Sequence, residues 1–208
     1  MDKLFPMFPL NIVVFPGEKL RLHIFEPRYR QLIGECLHEQ KTFGVLTVID
    51  KKVMGLGTEV KIVSLDKKYG GGEMDISTEG IRRLEVETFY EKAPERLYPA
   101  AKIKWMEPAE QFDESLKKEV KKLLFQLHQA LGITKTFSEN PYLTFEMAHH
   151  VGFSIQQEYE LLSLGTELER LRFLKQHLET ILPVVRETER LKARAKLNGH
   201  YKNIIPPK

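Results

Sequence analysis

The sequence is short of most features that would announce a chemistry or a compartment. One cysteine, Cys36, stands in 208 residues, so no intramolecular disulfide framework exists and a reducing compartment fits. No apolar run approaches the roughly 18 residues of a spanning helix. The chain begins with charges at Asp2 and Lys3 and then prolines, which is no signal peptide. A soluble cytoplasmic protein is expected, with no membrane partner. Charge of one sign is also lacking: 32 basic residues face 29 acidic ones, a net of +3, too even a balance to indicate nucleic acid.

Sequence patterns for chemistry are equally scarce. The phosphate loop G-x-x-x-x-G-K-[ST], whose backbone donors cradle phosphates, is absent. Gly55-Leu56-Gly57 lacks a third glycine at Val60, so a dinucleotide fingerprint fails too. His149-His150 points two rings about 100° apart on a helix, which suits a helix-end pair at the negative dipole end better than a metal site. Ser64, Ser77, Ser138, Ser154 and Ser163 carry no elbow or dyad signature, and Ser154 reads as a helix cap. No catalytic residue, cofactor or metal is expected.

What the chain does have is a core. Hydrophobic content is 42% and charged content 29%, enough for one large domain or two small ones. The densest stretch is residues 4–37, LFPMFPLNIVVFPGEKLRLHIFEPRYRQLIGECL. Its prolines deny residues 4–14 a central-strand place and predict an edge strand or extended cover. Pro16-Gly17 signals a turn. Leu20, Leu22 and Ile24 then alternate with Arg21 and His23 in a half-buried strand, with His23 as a surface or hydrogen-bonded histidine. Pro27 opens a helix at the position where its missing N–H costs nothing. Tyr29, Leu32, Ile33, Cys36 and Leu37 share one face of that helix, which makes Cys36 a small core hydrophobe rather than a nucleophile.

Residues 42–49 (TFGVLTVI) suit a buried strand. Gly55 and Gly57 are expected to break the chain before a second β-rich run over 58–65, and DKKYGGG (66–72) reads as a mobile loop. Alternation resumes at Met74, Ile76 and Thr78, again after Gly80, and last over 100–106. Roughly six strands and one helix up to residue 107 predict a curled sheet or small barrel. At Glu107-Pro108 the period changes from 2 to 3.6, which marks a boundary. Helices follow, capped by Asp113, by Asn140 before Pro141, by Ser154 with Gln157, and by Thr166 with Glu169. Gly132 stops the first of them. Pro183 predicts a kink or break in the last and longest, since a proline inside a helix costs about 3 kcal/mol. The fold class is α+β: a β-rich pseudo-barrel over 1–107, a helical bundle over 108–197 with a long last helix, and a flexible tail over 198–208.

The runs FPLNIVVFPGEKLRLHIFEPRYRQLI, FGVL at 43–46 and STEGIRRLEV at 77–86 resemble the N-terminal substrate-binding domain of the ATP-dependent protease Lon. Phe25-Glu26-Pro27-Arg28-Tyr29 after a strand is similar to that family's hallmark. YPAAKI at 98–103 and QQEYELLSLGTELERLRFL at 156–174 match more loosely, and together these segments span most of residues 4–182. The resemblance implies a pseudo-barrel followed by helices, and recognition of unfolded or exposed polypeptide segments. It points to stand-alone bacterial proteins of this domain type, without ATPase or protease modules and working with a separate protease or chaperone. The glycines at 70–72 depart from the short Asp-Gly turn expected of the family.

Residues left over from the core supply the candidate polypeptide-binding set: Met54, Tyr69, Met74, Phe89, Tyr90, Tyr98 and Trp105, whose aromatic and methionine side chains near loops suit adaptable recognition. Glu26, Pro27, Arg28 and Tyr29 form a structural junction, the Arg28 guanidinium bonding loop carbonyls or Glu26. Arg82 and Arg83 face opposite ways on a strand, and one can line a groove. Two other functions stay open: a hydrolase with its site between barrel and helices, and a nucleic-acid binder using the basic segment around Arg186, Arg190, Lys192, Arg194 and Lys196. Glu187 and Glu189 within that segment favour a solvated helix face instead.

Overall fold

The structure is a computed structural model that describes residues 4–107, 111, 113–134 and 143–201, with side chains through 196. The helix start at Asn140-Pro141, Ser138, and residues 202–208 of the expected tail lie outside the described residues. Six strands are described: β1 (Phe5–Leu10), β2 (Lys19–Ile24), β3 (Phe43–Ile49), β4 (Lys52–Lys68), β5 (Met74–Tyr90) and β6 (Ala100–Trp105). The helices are α1 (Pro27–Glu39), α2 (Glu114–Leu131), α3 (Leu143–Ala148), α4 (Ile155–Ser163) and α5 (Glu167–Tyr201). The fold is α+β.

Five of the strands close on themselves. β1 pairs β3 in parallel and β6 antiparallel, and antiparallel ladders then run β3–β4, β4–β5 and β5–β6. β1 is therefore not the edge strand that its prolines predict. It has a neighbour on each side, and the prolines fit because each falls where a ladder has ended. Pro6 lies one residue before the first β1–β3 pair, and Pro9 lies beyond the β1–β6 pairs, so neither missing N–H faces a partner. Closure rests on the length of β5, whose 17 residues pair with β2 over its first part and with β6 over its second.

Glycines do not break the long strands as expected; they allow close approach within them. Gly55 and Gly57 lie inside β4 and Gly80 inside β5. A Cβ at Gly57 would sit 2.2 Å from the Val45 carbonyl oxygen, and one at Gly80 would sit 2.2 Å from that of Phe15. Residues 66–68 of the expected mobile loop belong to β4. The remainder is a tight connection in which Tyr69 N–H donates to the Glu73 carbonyl (2.9 Å) and Gly72 N–H to that of Tyr69 (3.0 Å). The turn before β2 does follow its composition. Pro16 precedes Gly17 at φ 80°, and Glu18 N–H closes onto the Phe15 carbonyl at 3.1 Å, the geometry that proline and then glycine pre-organise.

The main core joins α1 to the ring. Tyr29, Leu32, Ile33 and Cys36 are buried against Phe8, Phe43, Val45, Val60, Met74 and Ile76, and the Tyr29 ring stacks on Phe8 with centroids 3.9 Å apart. Each fully buried aliphatic of this set contributes about 1.5–3 kcal/mol of apolar burial. Helices α3 and α4 belong to the same compact unit as the strands, residues 1–109 with 140–165. The second unit comprises 110–139 and 166–208. The helical region beyond residue 107 is thus shared between the two units. The reason is packing: Phe15 stacks on Phe145 of α3 at 5.1 Å, and the Leu56 N–H donates to the Tyr159 hydroxyl of α4 at 3.0 Å.

In the second unit α2 and α5 pack through Val120, Leu124, Leu127, Leu171, Leu174 and Leu178, all buried. Asp113 caps α2 by accepting from Leu116 N–H at 2.9 Å, and Gly132 ends it at φ 67°. Thr166 and Glu169 form a reciprocal box at the start of α5. That helix is 35 residues long with Pro183 inside it: of the kink or break expected near Leu182, a break does not occur, and residues 198–201 continue the helix. Pro183 still removes the donor that would reach the Glu179 carbonyl one turn earlier.

Candidate functional site

A second, smaller apolar group lies on the face of the ring that carries Arg82. Met7, Leu46, Leu84 and Ala101 are buried at its centre, and Phe5, Val86, Phe89, Ile103 and Trp105 are partly buried around them. The register explains the grouping: Leu84 pairs with Trp105, Val86 with Ile103 and Phe89 with Ala101, while Phe5 pairs with Ala101 from the other side. The Phe5 and Trp105 rings meet edge to face at 5.4 Å. A polar bracket holds the border. Arg82 lies 3.6 Å over the Trp105 ring and donates from Nε to Glu59 Oε2 at 2.7 Å, while Thr42 donates to Glu59 Oε1 at 2.6 Å. Glu59 is 7% exposed, a buried carboxylate kept because both oxygens are bonded. The result is an apolar strip of large side chains, none fully buried, with a guanidinium fixed beside it.

Of the seven side chains expected to bind polypeptide, Phe89 and Trp105 fall in this strip. Met74 and Tyr98 are 6% and 8% exposed within the main core, and the Tyr98 hydroxyl donates to Glu35 at 2.6 Å. Burial and that bond push the Tyr98 hydroxyl up to about 12. Tyr69 sits at the β4–β5 connection, Met54 on the first turn-proximal part of β4, and Tyr90 at the end of β5 with 37% exposure. The seven therefore do not form one patch. Phe5, Val86 and Ile103 belong to the strip without standing out in the sequence, and Arg82, one of the two arginines of which one can line a groove, lies beside it. The alternation of β5 and β6 carries a signal for Val86 and Ile103, but Phe5 joins them only through the closure of the ring.

The junction residues are close together. Arg28 donates from Nε to Glu26 Oε2 at 2.9 Å and lies 4.5 Å over the Tyr29 ring. Both partners of the ion pair are more than a third exposed, so the pair contributes no more than about 1 kcal/mol. At the far end of β2, His23 Nδ1 pairs with Asp75 Oδ1 at 2.6 Å, and the Tyr69 hydroxyl donates to Asp75 at 2.7 Å. Those two bonds hold the Asp75 carboxyl below its usual range. His23 also stacks with Phe25, which is 60% exposed.

Arg83 and Arg82 do face opposite ways, and Arg83 turns to α4. Its guanidinium donates to the carbonyls of Leu162 (2.9 Å), Leu164 (2.5 Å) and Gly165 (3.2 Å), a side-chain cap for a helix end whose carbonyls have no intrahelical donors. His149 lies just past α3, with Nδ1 2.7 Å from Glu158 and Nε2 3.1 Å from Glu18. Burial pushes its pKa down, but the bonds to Glu158 and Glu18 and their charges outweigh it and carry the group up to about 10. His149 is thus an imidazolium clamp, tying the loop before β2 to the α3–α4 segment.

The cysteine and the serines weighed as nucleophiles are engaged elsewhere, among the described residues. Burial, with Glu35 nearby, pushes the Cys36 thiol up to about 11, away from the thiolate that reactivity needs. Ser64 and Ser77 both donate to Asp66, and Ser163 donates to the Glu160 carbonyl. Ser154 and Gln157 form a capping box. Among the described residues no group of three or more His, Cys, Asp or Glu is placed to hold a metal ion.

Five strands thus close into a small ring that buries one face of α1 and carries a half-buried apolar strip. Comparison gives the family. The model of the ATP-dependent protease La (LON) substrate-binding domain matches residues 5–180, and the chain belongs to that family. Among solved structures, the Lon N-terminal domain protein from Xanthomonas campestris superposes with a TM-score of 0.63 at 25% identity, over 87% of this chain and 98% of that one. The N-terminal domain of the Mycobacterium avium complex Lon protease superposes with a TM-score of 0.67 at 20% identity, over 85% and 98%, which is a likeness of fold. The comparison with curated proteins returns no match.

Proposed function

We propose that this chain is a non-catalytic polypeptide-binding module that engages unfolded or exposed segments in the cytoplasm and presents them to a separate protease or chaperone. The observation that carries the reading is the strip of Phe5, Val86, Phe89, Ile103 and Trp105 beside the fixed Arg82 guanidinium. Large, partly buried apolar side chains with a positioned polar group suit recognition of apolar residues in a chain that has lost its fold. Family membership supports the same reading, since the family is described as a substrate-binding domain. Among the described residues no helix is long and apolar enough to cross a membrane, which accords with a partner met in solution.

Phe89 and Trp105 are the anchors in this reading, and Met54, Tyr69 and Tyr90 are outlying contacts. The test uses a reduced, alkylated and permanently unfolded polypeptide carrying a photo-crosslinker. Crosslinks should concentrate on β5 and β6 around Phe89 and Trp105. Trp105→Ala should weaken binding by roughly tenfold, the loss expected of a central aromatic anchor, with its circular dichroism unchanged. Absence of binding, or crosslinks that avoid both strands, refutes the reading.

A further inference from the structure

Strand β2 stands outside the closed ring and has a partner on one side only. It pairs with β5 through all six of its residues with no register shift, and no strand among the described residues pairs with its other side. The Glu18 carbonyl accepts from Gly80 N–H at 2.9 Å, and the Leu20 carbonyl accepts from the Thr78 hydroxyl at 2.8 Å. Backbone groups alternate sides along an antiparallel strand. Leu20, Leu22 and Ile24 therefore turn their N–H and C=O toward β5, and Lys19, Arg21 and His23 turn theirs outward.

Open edges are normally blunted by bulges, prolines or lysines. Another stretch with a strand on one side only among the described residues shows that treatment: β4 beyond Val60 has register shifts between Ile62 and Ser64 and between Leu65 and Lys67, and carries Lys61, Lys67 and Lys68. β2 has neither bulge nor proline, and of the blunting residues it carries one lysine, Lys19. Its outer face presents Lys19, Arg21 and His23, all exposed, and its inner face presents Leu20 and Leu22, half-buried against the main core. Asp75 holds His23 and Asp66 lies near Arg21, but Lys19 and Arg21 make no ion pair among the described residues. Phe25, at 60% exposure, and the Tyr69 ring, 5.8 Å from His23, extend the surface at the strand's end.

We propose that the free edge of β2 captures extended polypeptide segments of alternating acidic and apolar residues by adding them to the sheet as a further strand. Such a segment places carboxylates against Lys19 and Arg21 and apolar side chains against Leu20 and Leu22, while its backbone pairs with Lys19, Arg21 and His23. This rests on the polypeptide-binding reading and names a segment class and a second contact surface for it.

The probe is a synthetic peptide of alternating glutamate and valine, mixed with the full chain. Residue-resolved amide exchange should slow at Lys19, Arg21 and His23 and stay unchanged at Leu20 and Leu22, whose amides are already bonded. N-methylation of the peptide amides that face β2 should weaken binding at least about tenfold, the loss of several hydrogen bonds. N-methylation of the opposite set should change it less than about twofold. The double substitution Lys19→Glu with Arg21→Glu should weaken it roughly tenfold, and replacing glutamate by lysine in the peptide should restore binding to that variant. Equal effects of the two methylation patterns, or protection that misses β2, overturn the proposal. If β2 stays unprotected while unfolded polypeptide still crosslinks at Trp105, the edge proposal falls and the binding function stands. If neither probe binds, both fall.

Discussion

Substituting His149 by glutamine removes a charge that two carboxylates share, and the cost should depend on pH. The ring lies 2.7 Å from Glu158 and 3.1 Å from Glu18, and its pKa stands at about 10 against an ordinary 6.5. Because the folded value is the higher one, the stabilisation is fully present below about pH 6.5. It shrinks as pH rises through the window to 10 and is gone above it. Taken whole, that displacement corresponds to about 5 kcal/mol. The side chain is 34% exposed, and solvent screening reduces the usable part to about 1–2 kcal/mol. The sequence has one tryptophan, Trp105, which lies in the same compact unit, so its fluorescence in a urea titration reports on the right part of the molecule. His149→Gln should lower stability by about 1–2 kcal/mol at pH 6, a drop in Tm of roughly 2–8 °C, and by almost nothing at pH 10. Using the difference between parent and variant at each pH cancels the tyrosines, lysines and Cys36 that titrate near the upper end. A deficit of equal size at both pH values, or an imidazole that titrates near 6.5 by NMR, refutes the clamp.

Arg83→Met leaves the carbonyls of Leu162, Leu164 and Gly165 without their guanidinium, and should cost roughly 2–4 kcal/mol in chemical denaturation. Arg83→Lys should recover only part of it, because one ammonium cannot reproduce the planar fork. Gly57→Ala forces a Cβ to within 2.2 Å of the Val45 carbonyl oxygen and should cost about 1–3 kcal/mol or more by the same measurement. Gly55→Ala, two residues away with nothing within 4 Å of its added Cβ, is the control and should stay within about 0.5 kcal/mol. Equal losses at the two glycines refute the close-approach argument.

Local chemistry was readable wherever one short segment decides its own conformation. Pro16 and Gly17 specify their turn, Pro27 opens α1, and Ser154, Thr166 and Asp113 cap the helices that follow them, because each effect acts within four residues. Alternation in β5 and β6 pointed to the strands that build the apolar strip. Prolines and glycines misled where their neighbours are distant in sequence. Pro6 and Pro9 argue for an edge until the register shows each one opposite the end of a ladder. Gly57 and Gly80 read as breaks until the Val45 and Phe15 carbonyls are placed against them. Pro183 argues for a break, yet Leu178 and Leu182 are buried on either side of the last uninterrupted turn before it, and that packing carries α5 through.

The candidate site divides along the same line. The sequence by itself determined the family, through Phe25-Glu26-Pro27-Arg28-Tyr29 and its flanking strand, the α+β class, the helix caps, and the place of Cys36 on the core-facing side of α1. Each follows from residue type and near-neighbour spacing. Only the tertiary structure decided which of the leftover aromatic and methionine side chains are core and which stay partly exposed. Met74 and Tyr98 are drawn inside by α1, while Phe89 and Trp105 meet Phe5 on the ring's Arg82-bearing face, across about 80–100 residues of chain. Tertiary structure likewise left β2 outside the ring with an edge that has neither bulge nor proline and set His149 between Glu18 and Glu158. These outcomes depend on ring closure and on the packing of α3 and α4 against the strands, and contacts between segments so far apart leave no periodicity for a sequence to show.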